Sequence, residues 1–266
     1  MTDYRKLFDL SGKTAVVLGA ASGIGKSSAE ALASLGARVL CADRTAEGAE
    51  ATAAGIREKG GSAEAAACDA ADRAAVTALA DTAKRTFSRL DIAVTTPGIN
   101  IRKTIFDYTE EEFDRIVSLN LKGTFVFFRE VGRIMVAQKS GSIIASSSIR
   151  ASTIEPGLAV YGATKAAISL LVKGFASEVG RHGVRVNAIA PSVIETPLTA
   201  PIKAKPEIYE TYAKHTVSGR WGQPSEVASA VAFLASDAAS YVSGTTLMID
   251  SGWTAIDGPP TGLTRV

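Results

Sequence analysis

Short runs of β-branched and small apolar residues alternate along this chain with longer stretches in which alanine and leucine recur at helical spacing. The first run is Thr14-Ala15-Val16-Val17-Leu18. From Gly23 to Gly36, Ile24, Ala31, Leu32 and Leu35 follow a near-helical period, and the closing glycine suits a helix C-terminus. Arg38 to Ala42 predicts a second strand and Ala46 to Lys59 a second helix, stopped by Gly60-Gly61. Ala63 to Cys68 reads as a third strand despite its alanine content, Asp72 to Arg89 as a helix, and Ile92 to Thr95 as a fourth strand. Ser142 to Ala145, Val184 to Ile189 and Thr245 to Ile249 predict later strands with helices between them. This repeated order implies an α/β fold built on a doubly wound parallel sheet, helices on both faces, because right-handed crossovers place them there.

No linker interrupts the pattern, so residues 1–266 are expected to form a single domain. Pro191 to Val217 lacks strong periodicity and contains Pro191, Pro197, Pro201 and Pro206, which marks it as the candidate for a mobile substrate lid. The stretch from Ile256 to Val266, with Gly258-Pro259-Pro260, is expected to be irregular.

Composition narrows the class. With 46% hydrophobic and 21% charged residues, a chain of 266 residues can fill an ordinary globular core and is neither disordered nor fibrous. A net charge of +2 without a dense basic stripe gives no electrostatic case for a nucleic-acid partner. The apolar runs are too short to span a bilayer, and Asp3, Arg5, Lys6 and Asp9 break any signal-peptide core, so a cytoplasmic protein without a membrane partner is expected. Cys41 and Cys68 fall in predicted strands without metal-ligand spacing; they read as buried thiols, and no metal is expected. His182 and His215 read as surface residues, Glu110-Glu111-Glu112 as a solvated helix N-terminus, and Phe125, Phe127, Phe128 and Val131 as a helix packing face.

Chemistry enters directly behind the first strand. Gly19-Ala20-Ala21-Ser22-Gly23-Ile24-Gly25 joins a strand to a helix, and such glycines let a pyrophosphate approach free N–H groups at the positive end of the helix dipole. Asp43 ends the second strand, where a carboxylate can accept the hydroxyls of an adenosine ribose and repel a 2′-phosphate; NAD is therefore favoured over NADP. Alternatively Asp43 caps the following helix, and Arg44 could serve a 2′-phosphate. Further on, Tyr161 and Lys165 stand four apart at the start of a predicted helix, on one face. An ammonium beside a phenol favours phenolate and would lower a pKa that starts near 10, making the tyrosine usable as an acid or base.

Ser148 lies thirteen residues before Tyr161, and Asn120 sits on a helix well upstream. Together with the glycine turn and Asn187-Ala188-Ile189-Ala190-Pro191, this set resembles the short-chain dehydrogenase/reductase family over about Leu10 to Trp253. The resemblance implies a Rossmann fold, a homotetramer, and an oxidoreductase moving a hydride between a nicotinamide cofactor and a secondary alcohol or ketone. It implies Tyr161 as the general acid/base, Ser148 as the group holding the substrate oxygen, Lys165 on the nicotinamide ribose, and Asn120 holding a backbone-bound water for proton relay. Asp69 would meet the adenine edge, Val193 and Thr196 would fix the carboxamide, and Ala70, Gly98 and Pro191 would also border the cofactor. The chain departs from the family pattern at Leu18, at Thr95-Thr96-Pro97 and at Ser192; none of these is one of the four catalytic positions.

The opening Asp3 to Phe8 and the region from Arg220 to Trp253 look most like polyol and sugar-acid dehydrogenases. The alternative substrate is a 3-oxoacyl thioester; the alternative of another class is a catalytically silent NAD(H)-binding regulator, against which Ser148, Tyr161 and Lys165 together argue. Asn100, Arg102, Arg150 and Glu155 fall where the family faces its substrate, and charge there predicts a small polar substrate, because unpaired charge beside a hydrocarbon is costly. The arginines could equally point to solvent or pair at a subunit contact.

Overall fold

The computed structural model describes residues 2–256. Strands β1 (Thr14–Leu18), β2 (Arg38–Asp43), β3 (Ser62–Ala67), β4 (Ile92–Thr95), β5 (Gly141–Ser146), β6 (Val184–Pro191) and β7 (Thr246–Ile249) form one parallel sheet in the order β3-β2-β1-β4-β5-β6-β7. The helices are α1 (Gly23–Ser34), α2 (Ala46–Glu58), α3 (Arg73–Phe87), α4 (Glu110–Ile116), α5 (Thr124–Gln138), α6 (Ala159–Val179), α7 (Ala200–Lys203), α8 (Pro206–Lys214) and α9 (Pro224–Ala235).

Because side chains of a strand alternate between faces, each apolar strand feeds two cores. Val16 and Leu18 of β1 pack with Leu79 of α3, Phe127 of α5 and Val172 of α6, whereas Ala15 and Val17 meet Leu32 of α1, Ile56 of α2 and Val231 of α9. The anticipated doubly wound sheet is therefore present, with strand ends within one residue of those anticipated except at the C-terminus of β6, which runs two residues further, to Pro191. Cys68 falls one residue beyond β3 yet is buried, as is Cys41 inside β2. Phe127, Phe128 and Val131 form the packing face of α5, but Phe125 lies off that stripe and is 46% exposed.

Two segments differ from the pattern read in the sequence. Between α4 and α5, Val117–Gly123 is π-helical, a widened turn that accommodates an additional residue and carries Asn120 inward. The stretch with least periodicity holds α7 and α8, both with proline in the first turn, where its missing N–H costs nothing. The expectation of an irregular end to the chain lies, from residue 257 on, outside the described residues.

Candidate active site

A cleft of about 540 Å³ opens at the carboxyl ends of β1 and β4, where the strand order reverses. Ser22, Gly23, Ile24 and Gly25 line it, and these are the N-cap and first turn of α1; the Ser22 side chain does not cap the helix. The first-turn N–H groups thus border the cleft, as an anion requires. Glycine is needed here on steric grounds: Gly19 has φ +94°, and a Cβ on Gly25 would stand 2.0 Å from Gly19 O. Thr96, one of the departures from the family pattern, ties the end of β4 to that of β1, donating its N–H (3.0 Å) and its hydroxyl (3.2 Å) to Leu18 O.

Asp43 and Arg44 also line this wall. Asp43 Oδ2 accepts the Ala21 N–H at 3.1 Å and Oδ1 the Thr45 N–H at 3.0 Å, so the carboxylate braces the glycine turn, while Thr45 is the N-cap residue of α2. Arg44 is exposed and has no ion-pair partner among the described residues. Asp69, Ala70, Gly98 and Thr196 also line the cleft. Pro191 and Val193 do not line it: Pro191 ends β6, and Val193 O accepts the Gly222 N–H at 3.0 Å. Arg115, Ser118 and Leu119, supplied by α4 and the π-helical turn, complete a wall that nothing in the sequence pattern marked.

Asn120, Ser148, Tyr161 and Lys165 do not line this cleft; Asn120 and Lys165 are buried directly behind its Gly98 wall. A Cβ on Gly98 would lie 3.4 Å from Lys165 Nζ and 3.5 Å from Asn120 Oδ1. Asn120 is fully buried; Oδ1 accepts the Ile99 N–H at 2.9 Å, and Nδ2 donates to Ile99 O (3.0 Å) and Thr164 Oγ1 (3.2 Å). Its side chain thereby joins the loop after β4 to α6, and its own carbonyl accepts the Thr124 hydroxyl at 2.7 Å. Ser148 follows β5, with Oγ accepting the Arg150 N–H at 3.1 Å.

Tyr161 and Lys165 occupy the start of α6, with Lys165 Nζ 5.6 Å from the Tyr161 ring centroid and donating to Ser146 O at 2.8 Å. Burial lowers the Lys165 pKa to about 8. Burial also pushes the Tyr161 phenol up, with the Ser148 hydroxyl and the Arg150 charge pulling it back. The sequence led to the opposite expectation, a phenol depressed by Lys165. In the protein alone desolvation of the half-buried ring wins, and the cation acting on the phenol is Arg150.

Arg102, Arg150 and Glu155 meet, whereas Asn100 is exposed. Glu155 binds Arg102 Nη2 at 2.6 Å and contacts Arg150 Nη2 at 3.2 Å, and Tyr212 of α8 donates its hydroxyl to Glu155 at 2.9 Å. The two arginines therefore pair inside the chain. The Arg150 guanidinium lies 5.2 Å over the Trp253 ring, against which His215, exposed as anticipated, stacks at 4.8 Å.

A family model described as enoyl-(acyl carrier protein) reductase matches residues 19–254. The chain is 36% identical over 248 residues to gluconate 5-dehydrogenase of Gluconobacter oxydans (strain 621H), covering 93% of this chain and 97% of the relative. It is 39% identical over 247 residues to D-threitol dehydrogenase of Mycolicibacterium smegmatis, covering 93% and 95%. A solved gluconate 5-dehydrogenase from Burkholderia cenocepacia J2315, in complex with NADP and tartrate, superposes with a TM-score of 0.92 at 33% identity, over 96% of this chain and 100% of that one.

Proposed function

The chain belongs to the short-chain dehydrogenase/reductase family and is a nicotinamide-dependent oxidoreductase of CH–OH groups; from that premise we propose that Ser148, Tyr161 and Lys165 handle the proton of a small polyol or sugar acid. The observation that carries the reading is that Gly98, on the wall of the α1 cleft, stands directly against Lys165 and Asn120. The first-turn N–H groups of α1 would hold the cofactor's pyrophosphate, Asp69 and Ala70 its adenine end, and Thr196 its carboxamide. When bound, the nicotinamide supplies the acceptor or donor of hydride.

The protein's own work is orientation and proton transfer. Ser148 Oγ holds the substrate oxygen. The Tyr161 hydroxyl takes the proton of that oxygen during oxidation and returns it during reduction. Lys165, fixed by Ser146 O and 5.6 Å from the Tyr161 ring centroid, would offer its ammonium to the cofactor ribose. Asn120 positions Ile99 and Thr164 around that lysine, a bracing role in addition to any relay of protons.

For the cofactor, the reading is NAD ahead of NADP. The Asp43 carboxylate opposes a 2′-phosphate, but both of its oxygens already hold backbone N–H groups and Arg44 stands beside it, so the margin is narrow. Charge on Arg102, Arg150 and Glu155 speaks for a polar substrate over a long acyl thioester. Exposed Phe125 on α5 and Tyr241 before β7 offer apolar surface for a homotetramer, and no described helix is long and apolar enough to cross a membrane, in keeping with a cytoplasmic site.

The test is Tyr161→Phe. Turnover on the best alcohol should fall by roughly 10²-fold or more while NADH still binds, and near-native turnover would remove the assignment.

A further inference from the structure

Arg150 is anchored in an unusual way. Its backbone N–H donates to Ser148 Oγ, and its guanidinium carbon lies over the Trp253 ring, 5.2 Å from the centroid. The side chain is only 10% exposed. Among the described residues it makes no aligned side-chain hydrogen bond; its one charged contact is Nη2 to Glu155 Oε2 at 3.2 Å. That carboxylate is already engaged by Arg102 at 2.6 Å and by the Tyr212 hydroxyl at 2.9 and 3.1 Å. Two guanidinium groups thus share one carboxylate, which leaves one positive charge in surplus next to Ser148.

A nearly buried cation with free donors and an incomplete counter-charge is costly unless an anion completes it. A planar carboxylate matches the fork of an arginine better than a hydroxyl does. Resting on the oxidoreductase reading above, we infer that the substrate carries a carboxylate, received by Arg150 on the Trp253 face, with Arg102, Glu155 and Tyr212 as the frame that holds that guanidinium in place. The substrate class is then a polyhydroxy acid rather than a neutral polyol. Glu155 has a second consequence, for it competes with the incoming carboxylate and weakens its hold. The Arg150 charge also acts on the Tyr161 phenol, so one side chain reads the acid group and influences the proton-transfer group.

The test compares substrates that differ only in that group: aldonic acids of four to six carbons, D-gluconate among them, and the matching alditols. With saturating cofactor, the native enzyme should favour the acids in kcat/KM by tenfold or more. Arg150→Gln should cut that preference at least tenfold, chiefly through KM for the acids, and Arg150→Lys should fall between. Glu155→Gln should lower KM for the acids several-fold. A native preference for alditols, or an acid/alditol ratio unmoved by Arg150→Gln and by Glu155→Gln, overturns this inference and leaves the oxidoreductase standing. No turnover of either series or of the corresponding ketones removes the polyol and sugar-acid reading along with the inference.

Discussion

The two ends of the site are built from different materials. The cofactor end is backbone: a glycine turn, the open N–H groups of α1, and a carboxylate, Asp43, spent on bracing that turn. The proposed substrate end is side chain: Arg102 after β4, Arg150 and Glu155 after β5, Tyr212 on α8 and Trp253 after β7, brought together by contacts spanning up to 110 residues. A backbone site tolerates change in everything except the glycines that make room for it. A side-chain site can change its ligand one residue at a time while the sheet beneath it stays the same.

Gly25→Ala attacks the first end and should have the largest effect. A methyl at 2.0 Å from Gly19 O forces the turn apart. Cofactor affinity measured by NADH fluorescence should fall by about 10²-fold or more, the turn being the phosphate cradle itself. Near-native affinity would break the contrast between the two ends.

Lys165→Met probes where they meet. Burial lowers the Lys165 pKa to about 8, against 10.5 for a free lysine, so below about pH 8 the folded protein bears the whole cost of a buried ammonium. Between there and pH 10.5 the unfolded chain binds more protons, and stability rises with pH. Lys165→Met should therefore unfold later in urea at pH 7, by roughly 2 kcal/mol net of the lost hydrogen bond to Ser146 O, though catalytically impaired. The gain should shrink towards pH 10; a gain independent of pH, or a loss, would contradict the burial argument.

The wall at Asp43 and Arg44 gives a smaller effect. Arg44→Ala should lower kcat/KM with NADP by about tenfold and leave NAD nearly unchanged, as expected for loss of one charged contact to phosphate. An equal loss with both cofactors would mean that Arg44 acts on the turn and not on the phosphate.

The smallest effect separates a glycine that makes room from one that does not. Gly55 lies inside α2, and a Cβ there would meet nothing within 4 Å. Gly55→Ala should stabilise the chain by about 0.5–1 kcal/mol in a denaturant melt without altering turnover.

What could be read in the chain follows the same division. The strands, the glycine turn and the pair on α6 are local, written in periods of two and of about four residues, and they stand where the sequence put them. Asn120 was legible as a residue but not as a π-helical one, since a single widened turn leaves no repeat to detect. Helix α8 was missed because its apolar residues are matched to partners elsewhere: Tyr209 stacks on Trp221 at 5.0 Å, and Tyr212 leans on both Trp221 and Trp253. Arg102, Arg150 and Glu155 were brought together only through the family resemblance, and Tyr212 as their partner was hidden, for nothing near Glu155 in sequence announces it. The direction of the Tyr161 shift depended on how deeply the ring is enclosed, which spacing does not encode.

The aromatic packing around α8 gives the protein an optical property. It has only two tryptophans. Trp221 is 1% exposed with its indole N–H bound to Tyr209 O at 3.0 Å, and Trp253 lies between Arg150 and His215. Neither belongs to the sheet or to the packed faces that hold it. Intrinsic emission therefore reports on the cover of the substrate end and is nearly blind to the rest: Trp221 registers whether α8 is seated, and Trp253 senses what charge stands on its ring. A change of colour without a change of circular dichroism would be the signature of ligand arriving or departing in a protein whose scaffold has not moved.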